Sequence, residues 1–182
     1  MFENSFKILK QKNIKIEIGL TENELKEIEK RYGFHFPLSL KQFLKEGLPV
    51  SEGFYNWRDN SIENIELIKS VINDTKEYIN DNPTDVYWND NWGREPTDVE
   101  EYSLFIRDRL MNAPKLIPFF IHRFIPEIEH WNPPVFSLHG ADLIYYGNDL
   151  EEYIEVEFGN KKHSEINFND AFFVPFWSEI TW

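Results

Sequence analysis

The sequence contains no cysteine, which removes disulfides, thiolate nucleophiles and cysteine-ligated zinc together. That suits a reducing compartment, and the cytoplasm is the expected location. Long apolar runs are missing too. The N-terminus, MFENSFKILKQKNIKIEIGL, has no apolar core of signal-peptide length, and no stretch approaches the ~18 uncharged apolar residues of a membrane span. Neither export by that route nor contact with a membrane interior is expected. Glycine is scarce, with eight residues, and none forms a phosphate-cradling loop, so nucleotide binding is unsupported. Basic residues are outnumbered, 19 Lys and Arg facing 32 Asp and Glu for a net charge of −13. A field of that sign repels a phosphate backbone, which argues against direct nucleic-acid binding, and steers in a basic protein. The same charge could serve solubility alone.

What is abundant is aromatic: 16 Phe, 8 Tyr and 6 Trp in 182 residues. Each ring removes roughly 150–250 Å² from water when buried, so a large aromatic core is expected. Length, and the absence of repeats, linkers and low-complexity tracts, fit one domain spanning residues 1–182. The charge is uneven. Residues 59–101 hold 12 carboxylates and 3 Lys or Arg, whereas residues 1–58 hold 8 and 10.

Local patterns give the elements. Thr21 and Glu24 form a capping box ahead of a helix over 22–32, with Leu25, Ile28 and Tyr32 on one face and Gly33 as its stop. Pro37 leads into a second helix over 38–46, closed by Gly47. Phe54–Trp57 reads as a short aromatic strand. Ile65, Ile68, Val71, Ile72 and Ile79 define a long amphipathic helix ending near residue 80, before Asn82-Pro83. An irregular stretch over 84–96 follows, then a second capping box, Thr97 with Glu100, and a helix to about Met111. Residues 116–121, 134–138 and 142–146 read as strands, the last two joined through His139-Gly140-Ala141-Asp142. Leu150, Tyr153, Ile154 and Phe158 outline a final helix ended by Gly159. Helices and hairpin strands without βαβ alternation imply an α+β fold, its sheet mixed or mainly antiparallel with helices packed against it.

No motif announces an active site. The five histidines, His35, His122, His130, His139 and His163, lack the close helical spacing of a metal site, and His122 is expected to be a hydrogen-bonded structural residue. Asp90, Glu95, Asp98, Glu100 and Glu101 near Trp88 and Trp92 resemble the aromatic-lined carboxylates of glycoside hydrolases, yet an Asn- and Asp-rich segment reads more simply as a solvated loop. Of the tryptophans Trp57, Trp88, Trp92, Trp131, Trp177 and Trp182, most are expected in the core. Trp88 and Trp92 are the expected exceptions, because aromatic anchors among carboxylates suit a protein-binding hot spot.

Four stretches carry a resemblance. Leu20–Leu44 with Gly47 is the first, and Gly53 to Trp57-Arg58-Asp59 the second. The third is the succession Trp92-Gly93-Arg94-Glu95-Pro96, Ala113-Pro114-Lys115-Leu116-Ile117-Pro118 and His122-Arg123-Phe124-Ile125-Pro126. The fourth runs from Pro134-Val135-Phe136-Ser137-Leu138 through Asp142, Tyr145-Tyr146-Gly147, Asp149-Leu150 and Tyr153 to Pro175-Phe176-Trp177-Ser178. Their order resembles the SUKH superfamily, which includes fungal cell-wall-synthesis regulators and many bacterial immunity proteins; Phe124 departs from it where Tyr is expected. The resemblance implies an α+β fold, no catalytic residues, no cofactor and no metal, and a cytoplasmic domain that binds a toxin. A regulatory or scaffold module like the fungal members is the alternative, and a carbohydrate-active enzyme a more distant one. The expected contacts with a basic protein partner are Trp88, Trp92, Glu95, Asp98, Glu100 and Glu101. Oligomeric state is not legible.

Overall fold

The computed structural model describes residues 1–181, so Trp182 lies outside the described residues. The chain begins with a helix that the sequence does not signal, α1 (Glu3–Gln11). Its N-cap, Phe2, has no capping side chain. Instead the Phe2 amide donates to Glu46 Oε2 at 3.1 Å, a carboxylate 44 residues away. Phe2 and Phe6 anchor the helix on the Phe43 ring, at 5.3 and 4.6 Å between centroids.

After β1 (Ile16–Glu17) comes α2 (Glu22–Tyr32), capped as expected. The Glu24 amide donates to the Thr21 hydroxyl at 3.2 Å and the Thr21 amide donates to Glu24 Oε2 at 2.8 Å. Gly33 stops the helix in the left-handed conformation, at φ 65°. The next helix, α3 (Leu38–Glu46), leads into β2 (Leu48–Pro49), which pairs antiparallel with β1. Gly47 closes α3 for a different reason from the one expected. Its backbone is extended, and a Cβ there would lie 2.7 Å from the Phe6 ring.

Phe54–Trp57 is not a strand, apart from a single bridge from Phe54 to Phe120. Trp57 turns inward and is buried, with Tyr32, Phe34 and Phe36 edge-on to its ring at 5.3–5.8 Å. Burial of one large ring overrides the local strand preference. The long helix is α4 (Ile62–Asp81), its first turn capped by Ser61. The helix after the irregular stretch is α5 (Val99–Asn112), but Thr97 does not cap it. Asp98 does, its Oδ1 accepting from the Glu100 and Glu101 amides at 3.0 and 2.9 Å.

Four antiparallel strands follow in simple order: β3 (Leu116–Phe120), β4 (Arg123–Pro126), β5 (Val135–His139) and β6 (Asp142–Gly147). Strand β4 is not among the expected strands; it is short, fully buried and joined to β3 by two residues. The β5–β6 hairpin has the expected turn, with His139 opposite Asp142. The last helix is α6 (Leu150–Glu157), capped by Asp149. Gly159 follows it without a positive φ; a Cβ there would lie 2.5 Å from the Glu155 carbonyl oxygen.

Neither sheet face is left open. Ile117, Phe119, Ile125 and Val135 pack with the apolar faces of α1, α2, α3 and α6. Leu116, Phe124, Phe136, Leu138 and Leu143 pack with α5 and the segment 174–180. α4 contributes to both, Ile68 and Ile72 to the first cluster and Ile79 to the second. Covering both faces explains why these strands read as apolar runs rather than as alternating ones. The fold is α+β, the named strands of both sheets pair antiparallel, and Thr181 adds one isolated parallel bridge to Leu143 of β6. Among the described residues no helix is long and apolar enough to cross a membrane.

Candidate protein-binding site

The irregular acidic stretch is held by its own polar side chains. Two short 3-10 turns shape it, Pro83–Asp85 at its start and Asp90–Trp92 within it. The Asn89 side chain accepts the Asn91 amide at 2.9 Å and donates to the Glu179 carbonyl at 2.7 Å, tying the stretch to the C-terminal segment. Gly93 reverses the chain at φ 91°, ψ −155°, a region open to glycine almost alone. The Trp88 indole N–H closes that loop on the Gly93 carbonyl at 2.9 Å.

Trp88 and Trp92 meet edge to face at 5.3 Å and both pack on Phe105 of α5, at 4.7 and 5.5 Å. Tyr102, one turn earlier, sits 5.4 Å from Trp88 and donates to the Val86 carbonyl at 2.5 Å. Behind Trp92 the Arg109 guanidinium lies 5.0 Å from the ring centroid and pairs with Glu179, to which the Trp92 N–H also donates. The stretch is therefore a braced aromatic shelf.

That shelf floors a cleft of about 340 Å³, lined by Trp88, Tyr102, Glu95, Asp98, Tyr87 and Val99 among others. Tyr87 and Val99 are 68% and 67% exposed, a large apolar contribution at the rim. Burial, and then the nearby Glu95 carboxylate, push the Tyr102 hydroxyl pKa above its ordinary value. The hydroxyl stays a neutral donor at physiological pH.

Three of the six expected contacts, Trp88, Glu95 and Asp98, come together at this cleft. Trp92 does not line it but supports Trp88 from behind, its N–H already committed to Glu179. Glu100 and Glu101 are exposed in the first turn of α5, where their charges favour the helix dipole. Asp98 is first of all the helix cap. Asp90 lies outside the cleft lining, so no Asp90–Glu95 pair forms within it. Tyr87, Val99, Tyr102, Phe105 and Glu179 belong to the cleft or its brace and are not among the expected contacts. The spacing of Val99, Tyr102, Phe105 and Arg109 along α5 was a usable signal; Glu179, 87 residues from Trp92, gave none.

The expected exceptions among the tryptophans also change. Trp57 and Trp177 are core, whereas Trp131, at 46%, is more exposed than the half-buried Trp88 and Trp92. Among the described residues the His122 ring makes no hydrogen bond, whereas His163 Nε2 lies 2.8 Å from the Tyr145 carbonyl oxygen and His130 Nδ1 accepts from the Asn132 amide at 3.3 Å. Burial, followed by adjacent Arg123, holds the His122 pKa below its ordinary value. Among the described residues no group of three His, Cys, Asp or Glu side chains is placed to hold a metal ion.

Comparison with curated proteins and with solved structures returns no match for the chain. Comparison with protein families matches residues 19–156, from the residues just before α2 to within α6, to the SMI1 / KNR4 family (SUKH-1), and the chain belongs to that family.

Proposed function

We propose that this chain is a non-catalytic, cytoplasmic protein-binding domain that binds and neutralises a bacterial toxin domain through the cleft over Trp88. The observation that carries the reading is the cleft's chemistry: a rigid aromatic floor, exposed Tyr87 and Val99 at the rim, and carboxylates at Glu95 and Asp98. Rigid aromatics flanked by charge are what binding hot spots are made of. A toxin that acts on nucleic acid presents Lys and Arg to phosphates, and a carboxylate rim would cover that same surface. Asp98 caps α5 and Asp90 lies outside the cleft, which favours binding over acid–base chemistry.

Co-expression with a panel of bacterial toxin domains, any encoded beside this gene included, tests the proposal. Rescue of growth and recovery of a complex support it, with both weakened by Trp88→Ala. Neither rescue nor a complex from the folded wild-type chain refutes it.

A further inference from the structure

The two hairpins of the four-stranded sheet turn at the same end and use the same two-residue length, Ile121-His122 between β3 and β4 and Gly140-Ala141 between β5 and β6. Both turns take a positive φ at their first residue, 63° at Gly140 and 47° at Ile121. Glycine is the expected residue there, because a Cβ meets its own backbone in the left-handed region, and a β-branched side chain meets it hardest. Ile121 is thus a strained residue where the neighbouring turn has the relaxed one. Its backbone is clamped: the amide donates to the Gly53 carbonyl at 2.8 Å and the carbonyl accepts from the Tyr55 hydroxyl at 2.6 Å. Both bonds use main-chain atoms, so Gly or Asn would keep them. Only the isoleucine side chain requires the strain.

That side chain is 53% exposed, so burial within the fold offsets the strain only in part. It stands as a ridge between two clefts. The first, about 570 Å³, is walled by Phe54 and by Leu67 of α4, itself 55% exposed. The second, about 350 Å³, is walled by Val71, Leu138 and the turn at Gly140. Each cleft has one carboxylate in its lining, Glu52 in the first and Asp74 in the second, and neither is lined by Lys or Arg. His122 and His139 complete the second wall. None of these residues lines the Trp88 cleft.

We infer that Ile121 is a docking ridge for a protein segment whose apolar side chains fill the two flanking clefts and whose flanking Lys or Arg side chains meet Glu52 and Asp74. A strained outlier that is exposed, apolar and set between apolar clefts is accounted for by a contact made outside the chain. The carboxylates fix the sign of the partner. This second surface stands whether or not the partner of the Trp88 cleft is a toxin.

The probe is a displayed library of random peptides, selected against the immobilised full chain. The ridge predicts enriched peptides that combine large apolar residues with Lys or Arg. It also predicts about tenfold weaker binding to Ile121→Asn and to Leu67→Ser, with binding to Trp88→Ala unchanged. Ile121→Asn should unfold at the same temperature as the parent or higher, since Asn tolerates the left-handed region. Enriched acidic peptides, peptides indifferent to both substitutions, or no enrichment at all would overturn the inference. So would a lowered unfolding temperature for Ile121→Asn, which would mean that the side chain serves the fold.

Discussion

The Trp92 indole N–H reaches Glu179 Oε2 at 3.2 Å, the same carboxylate oxygen with which Arg109 pairs. One carboxylate near the C-terminus therefore braces the acidic stretch from the far end of the chain, holding Trp92 from its edge while Arg109 covers its face.

Replacing Glu179 by Ala leaves a partly buried guanidinium and an indole N–H without their acceptor. The expected loss is about 2 kcal/mol, the scale of hydrogen bonds to charged groups. Urea unfolding followed by tryptophan emission should show it as a lower midpoint, with the folded-state emission shifted to longer wavelength as Trp92 loosens. An unchanged midpoint and spectrum would mean that Glu179 does not brace the shelf.

Arg123 is a buried charge. It is 8% exposed, donates to Glu157 at 3.1 Å and to the Ser137 hydroxyl at 3.0 Å, and lies 3.8 Å from the Tyr146 ring centroid. Arg123→Met keeps most of the volume but strands the Glu157 carboxylate, which costs about 3 kcal/mol. Adding Glu157→Leu should recover much of that loss, because a stranded charge is worse than none. A double-mutant cycle read by denaturant unfolding measures the coupling. Additive losses would contradict it.

Glu24 connects the N-terminal half to Arg58, whose Nε donates to its Oε1 at 2.7 Å. That bond, followed by the Thr21 amide, holds the Glu24 carboxyl at about 2. Because the folded value is depressed below an unfolded value near 4.3, the stabilisation is complete above about pH 4.3 and fades as pH falls toward 2. Glu24→Gln should lower stability at pH 7 by about 1 kcal/mol, reflecting a weakened cap and a lost, half-exposed ion pair. It should also flatten stability between pH 5 and 2 relative to the parent. Equal slopes would place the acid sensitivity elsewhere.

If the carboxylates around the Trp88 cleft steer a basic partner, its association rate should fall steeply with salt, about tenfold between 50 and 500 mM, while dissociation changes little. Stopped-flow mixing at a series of ionic strengths reads both rates. A flat association rate would leave the charge of residues 59–101 to solubility.

Local signals were legible where local atoms carry them out. The Thr21–Glu24 box, the stop at Gly33 and the length of α4 are decided within a few residues, and the structure bears them out. The failures occur where a distant partner decides. Helix α1 is tied down at Phe2 by the distant Glu46 carboxylate, and Phe54–Trp57 gives up strand geometry so that Trp57 can fill the space between Tyr32 and Phe36. Asp98 rather than Thr97 caps α5, a one-residue shift that the two adjacent cap-forming side chains left open. At the cleft, the acidic and tryptophan residues were visible in composition. The brace from Glu179 and the ridge at Ile121 were not, since one is a long-range contact and the other a backbone angle.

The most direct test is a titration of the toxin domain's activity with the purified chain. A non-catalytic binding domain predicts complete inhibition at one equivalent, a stable complex, and toxin recovered chemically intact after denaturation, with Trp88→Ala shifting the end point to excess protein. Inhibition at far below one equivalent with a modified toxin would show catalysis, and no inhibition at any ratio would contradict the account altogether.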